Sequence, residues 1–596
     1  MRFWLGARGY WQLPRSRGAW TLTVSLVAVV FVSLAITYSI NLWHRNFFDA
    51  VEARNAEVAL RQAILFPLLV GIYLVLCVFA MWARMTMQRN WRAWMNAHLV
   101  SRWLTKARFY RLELVGGDHK NPEHRINDDT RIATEMPVDF VTGFLTAALS
   151  AVTFVAVLWT IGGALTIDTT VGAITIPGFL VIAAIAYALV ANGVMLGVAF
   201  RFITTTERKN QAEAEHRYAL ARMRENAEGI ALIGGEDAER RQLEGLFGNV
   251  VGHWRDLMRQ HMRAVIVSQG SAQLCGVVPI LLCTPRYLDG SMTLGQVMQA
   301  ASAFVIVQGA LSWFMENYTR LGEWTASARR VASLLVALDA AEQSEGNKAQ
   351  GIRRRTSPGG ALQLRNVRVA VEHGATIVDG ASTSITPGER VLVVGESGTG
   401  KSSLIRAIAG CWPWGGGEVV SPELGRMRVV PQRSYVPPGT LRSALAYPSA
   451  PNRCDTGELE RVLATVGLGR LVAQLDVAAP WERILSEGEK QRLAIARVVL
   501  QRPDLIILDE ATSALHLAGQ AEVMGALARE LPQATILSVG HRPELEAFHA
   551  RKLVMARTPT GAKIVEDVSI APKRPIPLQD YVRKPAPRVH GPRVLR

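Results

Sequence analysis

The run Gly395-Glu396-Ser397-Gly398-Thr399-Gly400-Lys401-Ser402 decides how the C-terminal half of the chain is read. It has the spacing GxxxxGK[ST], follows the strand-like run Arg390–Val394 and leads into the helix-compatible run Ser403–Ala409. A strand, a glycine-rich turn and then a helix is the context a phosphate-cradling loop requires. Glycines let the backbone turn with its N–H groups inward around an anion, and the helix starting near Ser403 adds the positive end of its dipole. Lys401 supplies a cation for β- and γ-phosphates, and the Ser402 hydroxyl is placed to bind Mg²⁺. The spacing predicts a nucleoside polyphosphate held by residues 395–403.

Working outward, Leu505-Ile506-Ile507-Leu508-Asp509-Glu510 is an apolar run of the kind a buried strand needs, and it ends in two carboxylates. Asp509 suits a hold on Mg²⁺, and Glu510 suits a general base that polarises an attacking water. Between the two motifs lies Leu485-Ser486-Glu487-Gly488-Glu489-Lys490-Gln491-Arg492. This stretch resembles the LSGGQ signature of ATP-binding-cassette ATPases, with Glu487 at its first glycine and Glu489 at its glutamine. The resemblance implies ATP and Mg²⁺ as cofactors, with Ser486, Gly488 and Glu489 at the γ-phosphate side. Gln432, in Val430-Pro431-Gln432-Arg433, matches the Q-loop that senses Mg²⁺ and the membrane helices. His541, in Val539-Gly540-His541-Arg542, matches the switch histidine.

Two departures stand out. Ser513-Ala514-Leu515-His516 ends in His where the family usually has Asp, which puts cross-dimer communication through that position in doubt. The aromatic residue that stacks on adenine is missing, and His373 is the nearest substitute. The family clamps ATP between the phosphate loop of one copy and the signature of another. One of each per chain therefore implies a C2 pair with a second copy of itself.

The N-terminal half reads differently. The whole chain is 49% hydrophobic and 19% charged, where about 25% charged is usual for a soluble domain. Six apolar stretches could each cross about 30 Å of hydrocarbon: 20–43, 63–83, 138–163, 176–200, 264–288 and 294–318. The formal net charge is +16, and the basic residues crowd into particular loops between the apolar runs. Residues 84–136 hold ten Lys or Arg and 201–263 are again rich in Arg, while 164–175 has no basic residue. That asymmetry marks the cytoplasmic side of a membrane protein rather than a nucleic-acid surface, and it predicts that both termini and the ATPase are cytoplasmic. The first apolar run is too long for a removed signal peptide and has no small-residue cleavage site. Cys77, Cys275, Cys283, Cys411 and Cys454 are scattered, with no metal or disulfide pattern.

The expected fold is an α-helical membrane domain of six spans, with helices extending into the cytoplasm, followed by an α/β phosphate-loop ATPase. The expected division is a membrane domain at 1–336, a linker at 337–360, a nucleotide-binding domain at 361–570 and an unstructured basic, Pro-rich tail at 571–596. In the last span Gln308 and Glu316 are weak substrate-site candidates, because polar residues within a span often line a path.

Further stretches carry a closer likeness. They include Asn41 to Asp49, Asn121 to Asp129, Arg224 to Ala231, Leu294 to Gln299 and Gly410 to Pro413. The chain resembles the group that joins bacterial SbmA/BacA peptide uptake transporters, in their BclA/YddA-type forms with a fused ATPase, to peroxisomal fatty acyl-CoA transporters. The resemblance implies import of peptides, including cationic and Pro-rich ones, and of other hydrophilic solutes across the bacterial inner membrane. Two alternatives stay open: a lipid or acyl-CoA transporter, and a proton-driven carrier regulated by its ATPase.

Overall fold

The structure is a computed structural model that describes residues 2–12, 16–115, 121–169, 172–346, 351–357, 359–372 and 374–570. The expected tail at 571–596 and the adenine candidate His373 lie outside the described residues. By compactness the chain forms two units. One is Met1–Arg102 with Asp118–Val336, and the other is Trp103–Gly117 with Ala337–Arg596.

Six helices among the described residues, each lying largely in the first unit, are long and apolar enough to cross a membrane: Arg17–Glu52, Ala56–Leu114, Pro122–Gly162, Phe179–Val198, Glu236–Leu288 and Leu294–Gln343. An apolar run in lipid must satisfy its backbone internally, and the helix does so within one segment. Pro67 and Pro279 sit inside these helices without ending them. Several helices continue past their apolar runs, and the basic stretch after the fourth run is helical from Phe179 to Glu225 and again from Glu236.

Three sequence expectations need correction. Residues 164–175 were expected to form a plain loop, with the fourth span starting at 176. Instead Ala164–Thr169 and Gly172–Pro177 pair as an antiparallel hairpin, and the helix begins at Phe179 after Gly178, whose φ is +61°. The alternation of Leu165 and Ile167, then Ile174 and Ile176, with polar or small residues carries the period of a strand. Secondly, residues 103–117, expected within the membrane domain, belong to the ATPase unit, where the Arg111 guanidinium donates to the Gly410 carbonyl at 3.1 Å. Thirdly, the helix that begins at Leu294 runs to Gly346, well into the expected linker. Ala337, Ala340, Ala341, Glu342 and Gln343 are helix formers and give no reason to stop earlier.

Polar groups join distant parts of this unit. Asn41 Nδ2 donates to the Gln299 carbonyl at 3.0 Å, and Gln299 Nε2 donates to Asn41 Oδ1 at 3.1 Å. Asp49 accepts from the Gly295 N–H at 3.0 Å and Glu52 from the Leu294 N–H at 2.9 Å, so two carboxylates cap the helix that starts at Leu294. Any Cβ at Gly295 would lie 2.2 Å from the Arg45 carbonyl oxygen, which only glycine avoids. Asp129, buried to 1% exposure, takes a two-pronged Arg330 at 2.6 and 2.8 Å.

In the second unit, ten strands among the described residues form one sheet. Its parallel half runs, in spatial order, Met427–Val430, Leu505–Asp509, Thr535–Val539, Arg390–Gly395 and Arg551–Thr558. These strands are near-continuous apolar runs because both faces are covered. One face packs against Leu404, Ile405 and Ile408 of the helix Lys401–Ile408, and the other against a larger cluster that includes Leu493, Ile495 and Trp481.

Candidate functional site

Four neighbouring parallel strands deliver the site. Arg390–Gly395 leads into the glycine-rich loop, and Leu505–Asp509 ends in the carboxylate pair. Met427–Val430 precedes Gln432, and Thr535–Val539 precedes His541. All four emerge at the carboxyl edge of the sheet, which is where open α/β sheets bind ligands.

The loop geometry follows from its residues. Gly400 caps the helix Lys401–Ile408 with φ +78°, and a Cβ there would stand 2.6 Å from Ile377 Cγ2. Gly395 has no room either, since its Cβ would meet the Met555 carbonyl oxygen at 2.5 Å. Thr399 Oγ1 donates to the Glu396 carbonyl at 2.8 Å and fixes the turn across Ser397 and Gly398. The Lys401 ammonium donates to the carbonyls of Gly395 and Glu396 at 2.8 and 2.7 Å. Burial lowers its pKa, against the pull of Glu510 and Asp509. Ser402 and Ser403 form the first turn of the helix.

Ser402 Oγ donates to Asp509 Oδ1 at 3.1 Å. Burial pushes the Asp509 carboxyl up, partly offset by the Ser402 bond. Gln432 Nε2 donates to Glu510 Oε2 at 3.0 Å, and His541 Nδ1 lies 3.8 Å from Glu510 Oε1. Glu510 itself holds a left-handed backbone, φ +51°. Its N–H donates to Val539 O at 3.1 Å, and its carbonyl accepts from Ser513 N at 3.0 Å. A non-glycine residue in that region stores strain of about 1–3 kcal/mol, which persists only where the surroundings enforce it. Ser402 and Asp509 bring two hard oxygens together, the kind Mg²⁺ takes, and Gln432 stands beside the neighbouring Glu510.

Models of two families match: the ABC transporter transmembrane region 2 over residues 13–288 and the ABC transporter ATPase over 378–513. An uncharacterised ABC transporter ATP-binding protein of Synechocystis is 31% identical over 90% of this chain and 80% of its own length. The chain belongs to the ABC transporters. It is a half-size member, with one membrane unit and one ATPase on a single polypeptide. The inner membrane ABC transporter ATP-binding protein YddA of Escherichia coli is 28% identical over 90% of this chain and 93% of its own. ABC transporter D family member 2 of Arabidopsis thaliana is 27% identical over 93% of this chain and 85% of its own. A bacterial Atm1-family ABC exporter has the same fold, with TM-score 0.65 over 92% of this chain and 95% of its own, at 17% identity.

The signature of this ABC transporter forms a cluster of its own. Ser486 caps the helix Glu487–Gln501 in a reciprocal capping box with Glu489. The Ser486 hydroxyl and its N–H both donate to Glu489 Oε2 at 2.9 Å. Arg470 pairs with the other oxygen of Glu489. Gly488 lies against the segment after the strand Leu505–Asp509, where an added Cβ would meet the Ala514 carbonyl oxygen at 3.3 Å. Ser486, Gly488 and Glu489 are thus gathered beside residues 513–515, while Lys401, Ser402, Gln432, Asp509, Glu510 and His541 gather at the phosphate loop.

Two side chains that the sequence reading quoted without assigning a role tie these groups together. Gln491, 2% exposed, donates to the Gln432 carbonyl at 3.2 Å and accepts from the Ala514 N–H at 3.0 Å. Arg542, next to His541, donates to the carbonyls of Ser513 and Leu515 at 2.6 and 2.7 Å. His516, where the family usually has Asp, starts the helix Leu517–Glu530 without a side-chain cap. The adjacency of Arg542 to the switch position was the available signal. Its partners lie 27 and 29 residues away, beyond any local pattern. Of the two substrate candidates, Gln308 is buried, with neither amide atom hydrogen-bonded among the described residues, while Glu316 is exposed.

Proposed function

We propose that the chain is half of a homodimeric, ATP-driven importer of peptides and other hydrophilic solutes in the bacterial inner membrane, with both termini and the ATPase cytoplasmic. What carries the ATP-driven dimer is that one chain holds a single phosphate loop and a single signature, each with its own set of hydrogen bonds. ATP held by residues 395–403 of one copy meets Ser486, Gly488 and Glu489 of the other. Each site is therefore completed only by pairing, and a C2 pair completes both.

In this reading Lys401 leaves the loop carbonyls for the β- and γ-phosphates. Mg²⁺ would be held by Ser402, Gln432 and Asp509, and when bound it neutralises phosphate charge. Glu510, steadied by Gln432, orients the attacking water and takes its proton. His541 lies beside Glu510 and meets the γ-phosphate. Closure of the pair around ATP, and release after hydrolysis, shifts the membrane helices between two exposures of the cargo path. The resemblance of the membrane half to the peptide uptake group supports the cargo and the direction. The name of YddA, an inner membrane protein, supports the location.

The test is uptake of a labelled cationic, Pro-rich peptide into proteoliposomes with ATP on the ATPase side. Lys401→Ala and Glu510→Gln should abolish uptake. Continued transport in both variants would overturn the mechanism, and movement in the opposite sense would overturn the direction.

A further inference from the structure

A cavity of about 510 Å³ opens in the membrane unit among the helices Arg17–Glu52, Ala56–Leu104, Thr130–Gly162 and Leu294–Gly346. Most of its wall is apolar, for example Leu26, Val29 and Met81, with the hydroxyls of Thr142 and Thr146 on one side. Both threonines spend their hydrogens on their own helix, donating to the carbonyls of Val138 and Thr142 at 2.8 Å. They therefore offer lone pairs rather than donors to whatever enters.

The charged residues of the wall are Arg84 and Asp139. Asp139 is shared: Arg84 lies at 3.6 Å, Arg320 donates at 3.1 Å and Gln88 donates at 2.7 Å. One turn away Glu135 is shared in the same manner by Arg92 at 3.6 Å and Arg131 at 3.7 Å. Four guanidinium groups in this cluster thus face two carboxylates. Arg84 and Arg320 are 40% and 48% exposed, so neither is locked away. By sequence all three key residues stand at one membrane boundary. Arg84 follows the second apolar run, Asp139 opens the third and Arg320 follows the sixth. Positive charge is thus in surplus at the foot of a largely apolar groove.

We infer that Arg84 and Arg320 form a carboxylate-reading site, at which the C-terminal carboxylate of a peptide cargo displaces Asp139 as their shared partner. The inference rests on the peptide-import reading above and specifies which end of the cargo is recognised. A guanidinium pair suits a carboxylate because its planar forks donate two parallel N–H bonds to two oxygens. The threonine lone pairs higher in the groove accept from backbone N–H groups of the residues that precede the carboxylate. Exchanging one carboxylate for another keeps both arginines paired throughout, while the part-exposed Asp139 keeps the bond from Gln88 Nε2 at 2.7 Å.

The experiment measures equilibrium binding, without ATP, of one fluorescent Pro-rich cationic peptide as its free acid and as its C-terminal amide. The full-length protein is reconstituted in nanodiscs. The parent should bind the acid at least tenfold more tightly than the amide. Arg84→Gln and Arg320→Gln should bind acid and amide alike, both at the parent's level for the amide. Arg84→Lys and Arg320→Lys, which keep the charge and the helix pairing, should recover part of the preference and so rule out misfolding. Equal binding of acid and amide by the parent would overturn the inference while leaving peptide import standing. That outcome is also the one expected if the arginines serve a lipid phosphate. A preference that survives in both Gln variants would overturn it as well. Absence of binding by either peptide form would overturn the peptide-import reading itself, and this inference with it.

Discussion

Replacing Arg542 with alanine should cripple hydrolysis while leaving ATP capture nearly intact. The guanidinium holds two carbonyls, Ser513 at 2.6 Å and Leu515 at 2.7 Å, directly after the strained Glu510. A hydrogen bond from a charged donor contributes about 1.5–3 kcal/mol. Arg542 is only half-buried, so the lower end applies and the two bonds together contribute about 3 kcal/mol. Without them the turn from Glu510 to Ser513 is free to relax out of the left-handed backbone, and the base swings from its place beside Gln432. If that full amount enters the barrier, kcat falls about 100-fold. The KM for ATP should move less than threefold, because the contacts of Lys401 and Ser402 are untouched. Arg542→Lys keeps one donor and should fall about tenfold. The assay is steady-state ATPase of the full-length protein in nanodiscs, with thermal unfolding as the control. A folded Arg542→Ala protein whose kcat stays within threefold of the parent would refute the reasoning.

Other expectations follow from single residues. His549 is buried, with Nδ1–H donating to the Leu545 carbonyl at 2.7 Å and Nε2 accepting from Ser538 Oγ at 2.8 Å. Burial holds its pKa at about 4, below the ordinary histidine value of 6.5. The unfolded chain therefore binds the proton more readily, and the stabilisation, complete above about pH 6.5, is lost as pH falls toward 4. It amounts to roughly 3 kcal/mol. Thermal unfolding at pH 7.5 and 5.0 should show this loss in the parent and a smaller one in His549→Gln; identical profiles would count against it. Glu489→Gln preserves the capping box but removes a negative charge where, in the proposed pair, a second copy's phosphate arrives. The KM for ATP should fall about threefold at low salt, and less at 0.5 M salt, where screening is strong. Gln299→Leu leaves Asn41 Oδ1 without its donor, while Asn41 Nδ2 keeps the backbone carbonyl of residue 299; it should destabilise the membrane unit by about 1 kcal/mol, read as an earlier loss of monodispersity on heating.

The ATPase chemistry was legible because each of its motifs is short, contiguous and attached to a strand end. A loop that cradles phosphate needs Gly395, Gly398 and Gly400 at fixed offsets from Lys401, and nothing distant has to be known. The pairs that organise the membrane unit were not legible. Asp129 and Arg330 lie 201 residues apart, and Asn41 and Gln299 lie 258 apart, although Asn41, Asp129 and Gln299 all fall in stretches the sequence reading had singled out. Residues 103–117 follow a long helix without a change in composition, so their grouping with the ATPase rests on tertiary contact. The hairpin at 164–177 carried a period of two, but 164–175 reads as a loop, and only Ile176 and Pro177 of the second strand fall in the apolar run that follows.

The capping of the helix at Leu294 by Asp49 and Glu52 has a mechanical consequence. With Asn41 and Gln299 bonded one turn further in, the first and last long helices are buttoned together at that end by four hydrogen bonds. They cannot part there without stranding two carboxylates and two amides. Any swing of one against the other is then a rotation about this clasp, with the displacement growing toward the far ends, as in a pair of tongs.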